Sequence, residues 1–237
     1  MKKLFALLFF GLIGLTLQAQ SPIGAWEASM TNDAGETIKS VLILADGYQV
    51  LTTFNETTNE FIQTNGGTWS LEGNTMTETV EFHTQFPEVV GQTVSFDIEL
   101  SKNTLKIVGD DMVMKRIDDG SPGALNGAWL MSGRKRNGEI QERDTTRPRK
   151  TMKILSGTRF QWIAYDTEKK SFSGTGGGTY TTIDGVYTEN IEFFSRDASR
   201  VGASLNFDFE IVDGAWHHSG LSSKGSPIYE IWSVRKQ

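Results

Sequence analysis

The sequence predicts an all-β protein made of two tandem, roughly eight-stranded antiparallel up-and-down β-barrels. Three observations lead there. Blocks of sequence recur in the same order at one offset, apolar residues alternate with period two, and turn signals return every 8–12 residues. No stretch after the first twenty residues carries a sustained 3.6-residue apolar stripe, so helices have little part in the plan.

The chain opens with Lys2 and Lys3, followed by an unbroken apolar run from Leu4 to Leu15. A bilayer-spanning helix needs about 20 apolar residues, so residues 1–20 read as a cleaved signal peptide, with Ala19 at the cut. Without Lys2 and Lys3 the balance is 21 basic to 29 acidic side chains, a net charge near −8. The expected address is secreted or periplasmic, with no cysteine available for a lipid anchor and no later membrane span.

The repeat then organises everything that follows. Gly24-Ala25-Trp26 returns as Gly127-Ala128-Trp129, and Gly66-Gly67-Thr68-Trp69 as Gly177-Gly178-Thr179-Tyr180, the second at an offset of 111. At that offset the Thr77–Phe82 block returns as Thr188–Phe193, and Phe96-Asp97-Ile98-Glu99 as Phe207-Asp208-Phe209-Glu210. The polar hinge Asp118-Asp119-Gly120-Ser121-Pro122-Gly123 separates the copies, giving one unit at 21–119 and another at 124–237. Within each unit Val94, Phe96, Ile98 and Leu100, and likewise Leu205, Phe207, Phe209 and Ile211, place one apolar face on a strand. Asp46-Gly47, Gly73-Asn74, Asp184-Gly185 and Asp213-Gly214 mark hairpin turns. A short-turn meander with one apolar face buries it by curling into a barrel, which also removes exposed edges. A two-sheet sandwich is the competing architecture, and it would need longer crossings than these turns offer. The double glycines read as bends or bulges, since no Lys-Ser/Thr follows them and they lead into a strand rather than a helix.

Gly24-Ala25-Trp26 resembles the Gly-x-Trp that starts lipocalin and calycin barrels. The second unit is similar to secreted bacterial lipocalin-like domains through Gly176–Tyr180, Tyr187-Thr188-Glu189, Ile191-Glu192-Phe193, Trp216–Gly220 and Glu230-Ile231-Trp232. The first unit departs late in its length, with Leu105-Lys106-Ile107 and Met112-Val113-Met114 in place of the last two blocks. The resemblance implies an eight-stranded barrel with a central pocket and assigns no ligand, because fold alone does not supply function.

Composition removes several functional classes. A chain without cysteine has no disulfide framework, thiolate metal site or Cys nucleophile, and an acidic chain lacks the basic face of a nucleic-acid binder. With three histidines and no Gly-x-Ser-x-Gly, no nucleophilic triad can be picked out. What remains is the difference between the copies. Leu105, Ile107, Met112 and Met114 of the first unit stand where the second has Trp216, His218, Glu230 and Trp232. Glu78 and Glu189 occupy matching positions on faces shared with Met76, Val80 and Phe82, or Tyr187, Ile191 and Phe193. Each such carboxylate needs a cation or donors, and Arg116, Arg159 and Arg235 are the candidate partners.

The first barrel is thus expected to be mainly structural and the second to carry a small-molecule pocket. Trp162, Trp216 and Trp232 would supply contact area, Glu189, His218 and Glu230 would orient polar atoms, and Arg159 would be a counter-ion. His217 and His218 are neighbours on one strand, so only one of them faces inward. The ligand is expected to be apolar or amphiphilic, and no cofactor or metal is called for. The segment from Arg134 to Lys150 carries seven basic and three acidic side chains, either a rim that attracts anions, with Arg196 and Arg200, or a solvated hairpin. Two other classes stay open: a hydrolase or isomerase working through Glu189 and Glu230, and a cell-envelope interaction module that holds only a protein partner.

Overall fold

The computed structural model describes residues 20–121, 123–222 and 224–236; the leader expected at residues 1–20 lies, except for Gln20, outside them. The first eight strands are β1 (Gly24–Thr31), β2 (Thr37–Ala45), β3 (Tyr48–Asn55), β4 (Phe61–Glu72), β5 (Thr75–His83), β6 (Thr93–Leu100), β7 (Thr104–Ile107) and β8 (Val113–Asp118). Each pairs antiparallel with the next, and β8 pairs back on β1 to close a barrel. The second barrel is formed by β9 (Gly127–Arg136), β11 (Arg149–Leu155), β12 (Arg159–Asp166), β13 (Ser171–Ile183), β14 (Val186–Phe194), β15 (Ser204–Val212), β16 (Ala215–Leu221) and β17 (Pro227–Val234). Here β17 pairs with β9, and β10 (Glu139–Glu142) hangs on the edge of β9 as a hairpin arm. Among the described residues no helix is long and apolar enough to cross a membrane.

One end of each barrel is plugged in the same way. Trp26 donates its indole N–H to the Pro22 carbonyl oxygen and Trp129 donates to Leu125, both at 2.9 Å. The Arg116 guanidinium lies 3.9 Å over the Trp26 ring and donates to the Ile23 and Ser21 carbonyl oxygens. The repeat places these tryptophans at the start of each first strand, where a large flat side chain fills the narrow end of a closing sheet.

The double glycines sit at bulges. Register slips between Gly66 and Gly67 on β4, and between Gly177 and Gly178 on β13. A Cβ at Gly67 would collide with the Thr79 carbonyl oxygen, and one at Gly178 with that of Asn190. A bulge adds one residue to the facing strand and so reverses its inside–outside alternation. Phe82 and Phe193, expected on the inner face with Glu78 and Glu189, are therefore turned outward.

Those outward rings help join the two barrels. Val41, Ile43, Val50, Phe54 and Phe82 pack against Leu130, Met152, Ile154, Ile163, Tyr165 and Phe193 in one buried apolar cluster. Phe54 stacks on Phe193 at 5.3 Å and Phe82 meets Tyr165 at 4.7 Å. At the repeat offset Phe54 is equivalent to Tyr165, and Phe82 to Phe193, so the same two positions meet each other crosswise. That is the pattern of an isologous two-fold interface, built within one chain.

Polar groups fix the register of this seam. Thr52 donates to Gln161 Oε1 at 2.6 Å, and Gln161 Nε2 donates to Thr64 and Thr175. Arg235 grips Glu81 with two N–H donors at 2.6 and 2.8 Å, while the Tyr165 hydroxyl donates to the same carboxylate. Asp118, at the end of β8, accepts from Gly120 N–H and from the second barrel's Ser156 Oγ, Gly157 N–H, and Thr158 N–H and Oγ1.

Burial alone would raise the Asp118 carboxyl, but the donors from Thr158, Gly120, Gly157 and Ser156 hold it below the usual range. Asp118→Ala is expected to lower the unfolding free energy by about 3 kcal/mol at pH 6. Because the folded carboxyl titrates lower than the unfolded one, the stability it contributes is present above the ordinary Asp value and is lost as pH falls below it. Urea titrations at pH 6 and pH 3 should therefore show the difference between wild type and variant shrinking at the lower pH.

Candidate functional site

The second barrel holds a partly open cavity of about 270 Å³. Its aromatic and aliphatic wall includes Trp162, Phe194, Phe207, Ile191, Met131 and Trp232, and its polar groups are Lys153, Glu189, His218 and Glu230, with Arg200 and Ser222 also in the lining. Alternation on β16 sends His218 inward, 2% exposed, while His217 points out to the Tyr229 hydroxyl, 2.7 Å away. His218 and Glu230 are cross-strand partners on β16 and β17, with Nδ1 3.4 Å from Oε2. That contact is at the long limit of a hydrogen bond, and the other ring nitrogen, Nε2, has no hydrogen-bond partner among the described residues.

The residue beneath this pair was not singled out by sequence. Lys153 on β11 is 4% exposed and its Nζ lies 2.8 Å from Glu189 Oε1. The ammonium is also 4.8 to 5.9 Å from the ring centroids of Trp216, Tyr187, Trp232 and Phe207. A buried carboxylate against an ammonium in an aromatic cage satisfies both charges by pairing and by the negative faces of the rings. Lys153 occupies the position of Leu42 in the first barrel; within Thr151-Met152-Lys153-Ile154-Leu155 it reads as a solvent-facing lysine. The copy-to-copy comparison that exposed His218 and Glu230 would have found it on this strand.

Of the other residues expected at the site, Trp162, Glu189 and Trp232 line the cavity. Trp216 lies deeper, fully buried between Trp129, Tyr187 and Trp232. Arg159 is the correction. It begins β12 on the barrel's outer side, where it pairs with Glu192 and, at 3.9 Å, with Glu27 of the first barrel. Neither Arg116 nor Arg235 meets Glu78 or Glu189, since both are held elsewhere as described above.

Electrostatics sort these groups into roles. Burial, with the Lys153 ammonium second, pushes the His218 imidazole below its ordinary value, so it is neutral at pH 7. Burial alone would raise the Glu230 carboxyl, but His218, Lys153 and Trp232 outweigh it and hold the group below the usual carboxylate range. Burial and the neighbouring Glu189 push the Tyr187 hydroxyl well up, keeping it a neutral donor. The Arg134–Lys150 segment belongs to the same end, because Arg134 is paired with Glu230 in the β9–β17 ladder. Arg143 from that segment has its pKa lowered by burial and by repulsion from Arg134 and Arg149, with Glu230 acting in the opposite sense.

No protein-family model matches this chain, and no curated protein matches it. The reading of the site therefore rests on its geometry.

The first barrel holds a cavity as well. It is partly open, holds about 190 Å³, and is lined by Met76, Met112 and Met114 among other apolar side chains and by the polar Glu78, Gln49, Asn65 and Asp110. Here burial pushes the Glu78 carboxyl up to about 7.

Two outcomes follow from these carboxylates. Lys153→Met or Glu189→Gln alone should each cost about 3–5 kcal/mol, because one buried charge is left unpaired, whereas Lys153→Met with Glu189→Leu should recover most of the loss; a double-mutant cycle by chemical denaturation measures this. For Glu78 the sign is opposite to that of Asp118. The folded carboxyl titrates above the unfolded one, so its contribution is full below the ordinary Glu value and is lost as pH rises through about 7. Glu78→Gln should therefore be more stable than wild type by about 2 kcal/mol at pH 8, with little difference at pH 4.

Proposed function

We propose that the chain is a secreted or periplasmic binding protein of lipocalin-like architecture whose second barrel holds a compact, largely apolar molecule with an oxygen-bearing head. One observation carries this reading. Among the described residues the buried polar atoms left without a close hydrogen-bond partner gather in this lumen: His218 Nε2 on the cavity wall and the Trp216 indole nitrogen deeper in the interior, while the Tyr187 hydroxyl and the Trp232 indole nitrogen have only loose contacts with Glu189 and Glu230. An unmet buried polar group costs about 1–3 kcal/mol, so a set gathered beside a cavity is poised for a ligand that supplies acceptors. The aromatic wall supports an apolar body, and the basic segment at the Glu230 end supports an anionic head. Glu189 is engaged with Lys153, which leaves a proton-transfer role for it with less support than binding.

Tryptophan fluorescence with 4-phenylbutyrate and 4-phenylbutanol as probes tests the proposal. Saturable quenching is expected, and His218→Ala with Glu230→Ala should weaken it at least tenfold while leaving the melting transition cooperative. Arg143→Gln with Arg149→Gln should weaken the carboxylate several-fold at low salt and leave the alcohol unchanged. Binding that is unmoved by the first pair sinks the site assignment, and salt-insensitive carboxylate binding after the second removes the rim.

A further inference from the structure

The interior of the first barrel repeats the second with one charge missing. At the repeat offset Glu78 matches Glu189 and Leu42 matches Lys153, so the carboxylate is kept and its ammonium is replaced by an apolar side chain. Among the described residues no basic nitrogen lies within ion-pair distance of Glu78, and its one hydrogen-bond donor is Gln49 Nε2 at 3.3 Å. With Glu78 ionised, as at pH 8, the carboxylate sets the direction of that amide, nitrogen toward Glu78. The opposite atom, Gln49 Oε1, is buried and has no partner, on a residue only 3% exposed. Both residues line the 190 Å³ cavity. The four rings around the Lys153 ammonium have counterparts at Met76, Phe96, Leu105 and Met114, and all four of these also line it. Three are smaller than the aromatic they match, which leaves room where the second barrel has indole and phenol. No basic side chain enters the lining, and Asp110 is its other titratable group.

We propose that the first barrel is a second, separate binding site for a primary ammonium bearing an apolar tail, with Glu78 as counter-ion and Gln49 Oε1 as acceptor. The ligand's ammonium takes the place that Lys153 Nζ holds in the other barrel, and its tail lies along Leu51, Phe96 and the methionines. Specificity follows from chemistry: Glu78, Asp110 and the unpartnered Gln49 oxygen are acceptors, Asn65 is the other polar side chain in the lining, and two carboxyl groups with no cation disfavour anions and gain less from a neutral alcohol than from an ammonium. This site is independent of the one in the second barrel, whose orphaned atoms are chiefly donors.

The test uses the whole protein with n-hexylamine, n-hexanol and hexanoate, read by calorimetry at pH 8 and by the methyl resonances of ¹³C-labelled methionine. The amine is expected to bind at least tenfold more tightly than the alcohol, with hexanoate not binding in this cavity. The Met76, Met112 and Met114 methyls should shift on titration, while Met131, which lines the other cavity, stays in place. Glu78→Gln should abolish the preference for amine over alcohol, and Leu42→Lys, which restores the second barrel's internal cation, should lower amine affinity at least tenfold. Equal affinity for amine and alcohol in the unaltered protein, or amine shifts at Met131 alone, would overturn the proposal even if neither variant folds. Retention of the amine preference by a folded Glu78→Gln protein would overturn it as well.

Discussion

A carboxylate inside an apolar barrel has to be met by positive charge or by donors, and each half of this chain carries one at the same strand position. Leaving such a charge unmet costs several kcal/mol, so the answer found in each lumen decides what else that lumen can hold. The second barrel answers with Lys153, drawn into a cage of Tyr187, Phe207, Trp216 and Trp232. With Glu189 satisfied internally, His218 and Glu230 are left as the polar groups facing open space. The first barrel keeps Leu42 at that position and answers by holding the proton more tightly. A single apolar-to-basic difference on one strand therefore separates a lumen whose buried carboxylate is paired with an ammonium from one whose carboxylate is not.

Neither lumen would be well defined without the seam between the barrels. β2 and β11 are buried on both sides: Val41 and Ile43, or Met152 and Ile154, face the neighbouring barrel, while Leu42 or Lys153 faces the cavity. Pressing these strands between two packed surfaces fixes their backbone, and with it the reach of the Lys153 side chain. The glycine bulges contribute from the other direction. By reversing alternation on β5 and β14 they supply Phe82 and Phe193 to the seam without removing Glu78 and Glu189 from the interior. The polar clamps at Asp118, Glu81 and Gln161 add direction to a contact that apolar packing alone would leave free to slide, since hydrophobic attraction is not directional.

Much of this is legible in the sequence. Repeated blocks, period-two alternation and the Asp-Gly and Asn-containing turns were sufficient for two barrels, because each signal is local and depends only on strand geometry. His218 and Glu230 stood out because two copies of one scaffold act as each other's control, so a polar residue at a position otherwise apolar is conspicuous. The misreadings share one physical cause, which is loss of phase. Continuing the alternation across the bulge places Phe82 and Phe193 inward, because the double glycine announces a bulge without counting its extra residue. Arg159 was drawn to the pocket by charge alone, although the parity of Phe160 and Trp162 places it outside. Lys153 was passed over because a lone lysine in a strand normally faces water, and only a strand covered on both faces removes that option.

The same reasoning explains why two cavities of one architecture need not share a ligand. In the second lumen the polar atoms without a close partner among the described residues are His218 Nε2 and the Trp216 indole N–H, which favour a guest that brings oxygen acceptors. In the first, a carboxylate with one amide donor and no cation lies beside the unpartnered Gln49 amide oxygen, and the two favour a guest that brings donors. The walls follow the same division. Indole and phenol rings hold a fixed shape, whereas Met76, Met112 and Met114 are flexible and polarizable and adapt to a tail of variable outline. Duplication supplied two rigid frames sharing a seam, and the chemistry inside each was free to move toward opposite hydrogen-bonding character without disturbing the surface that joins them.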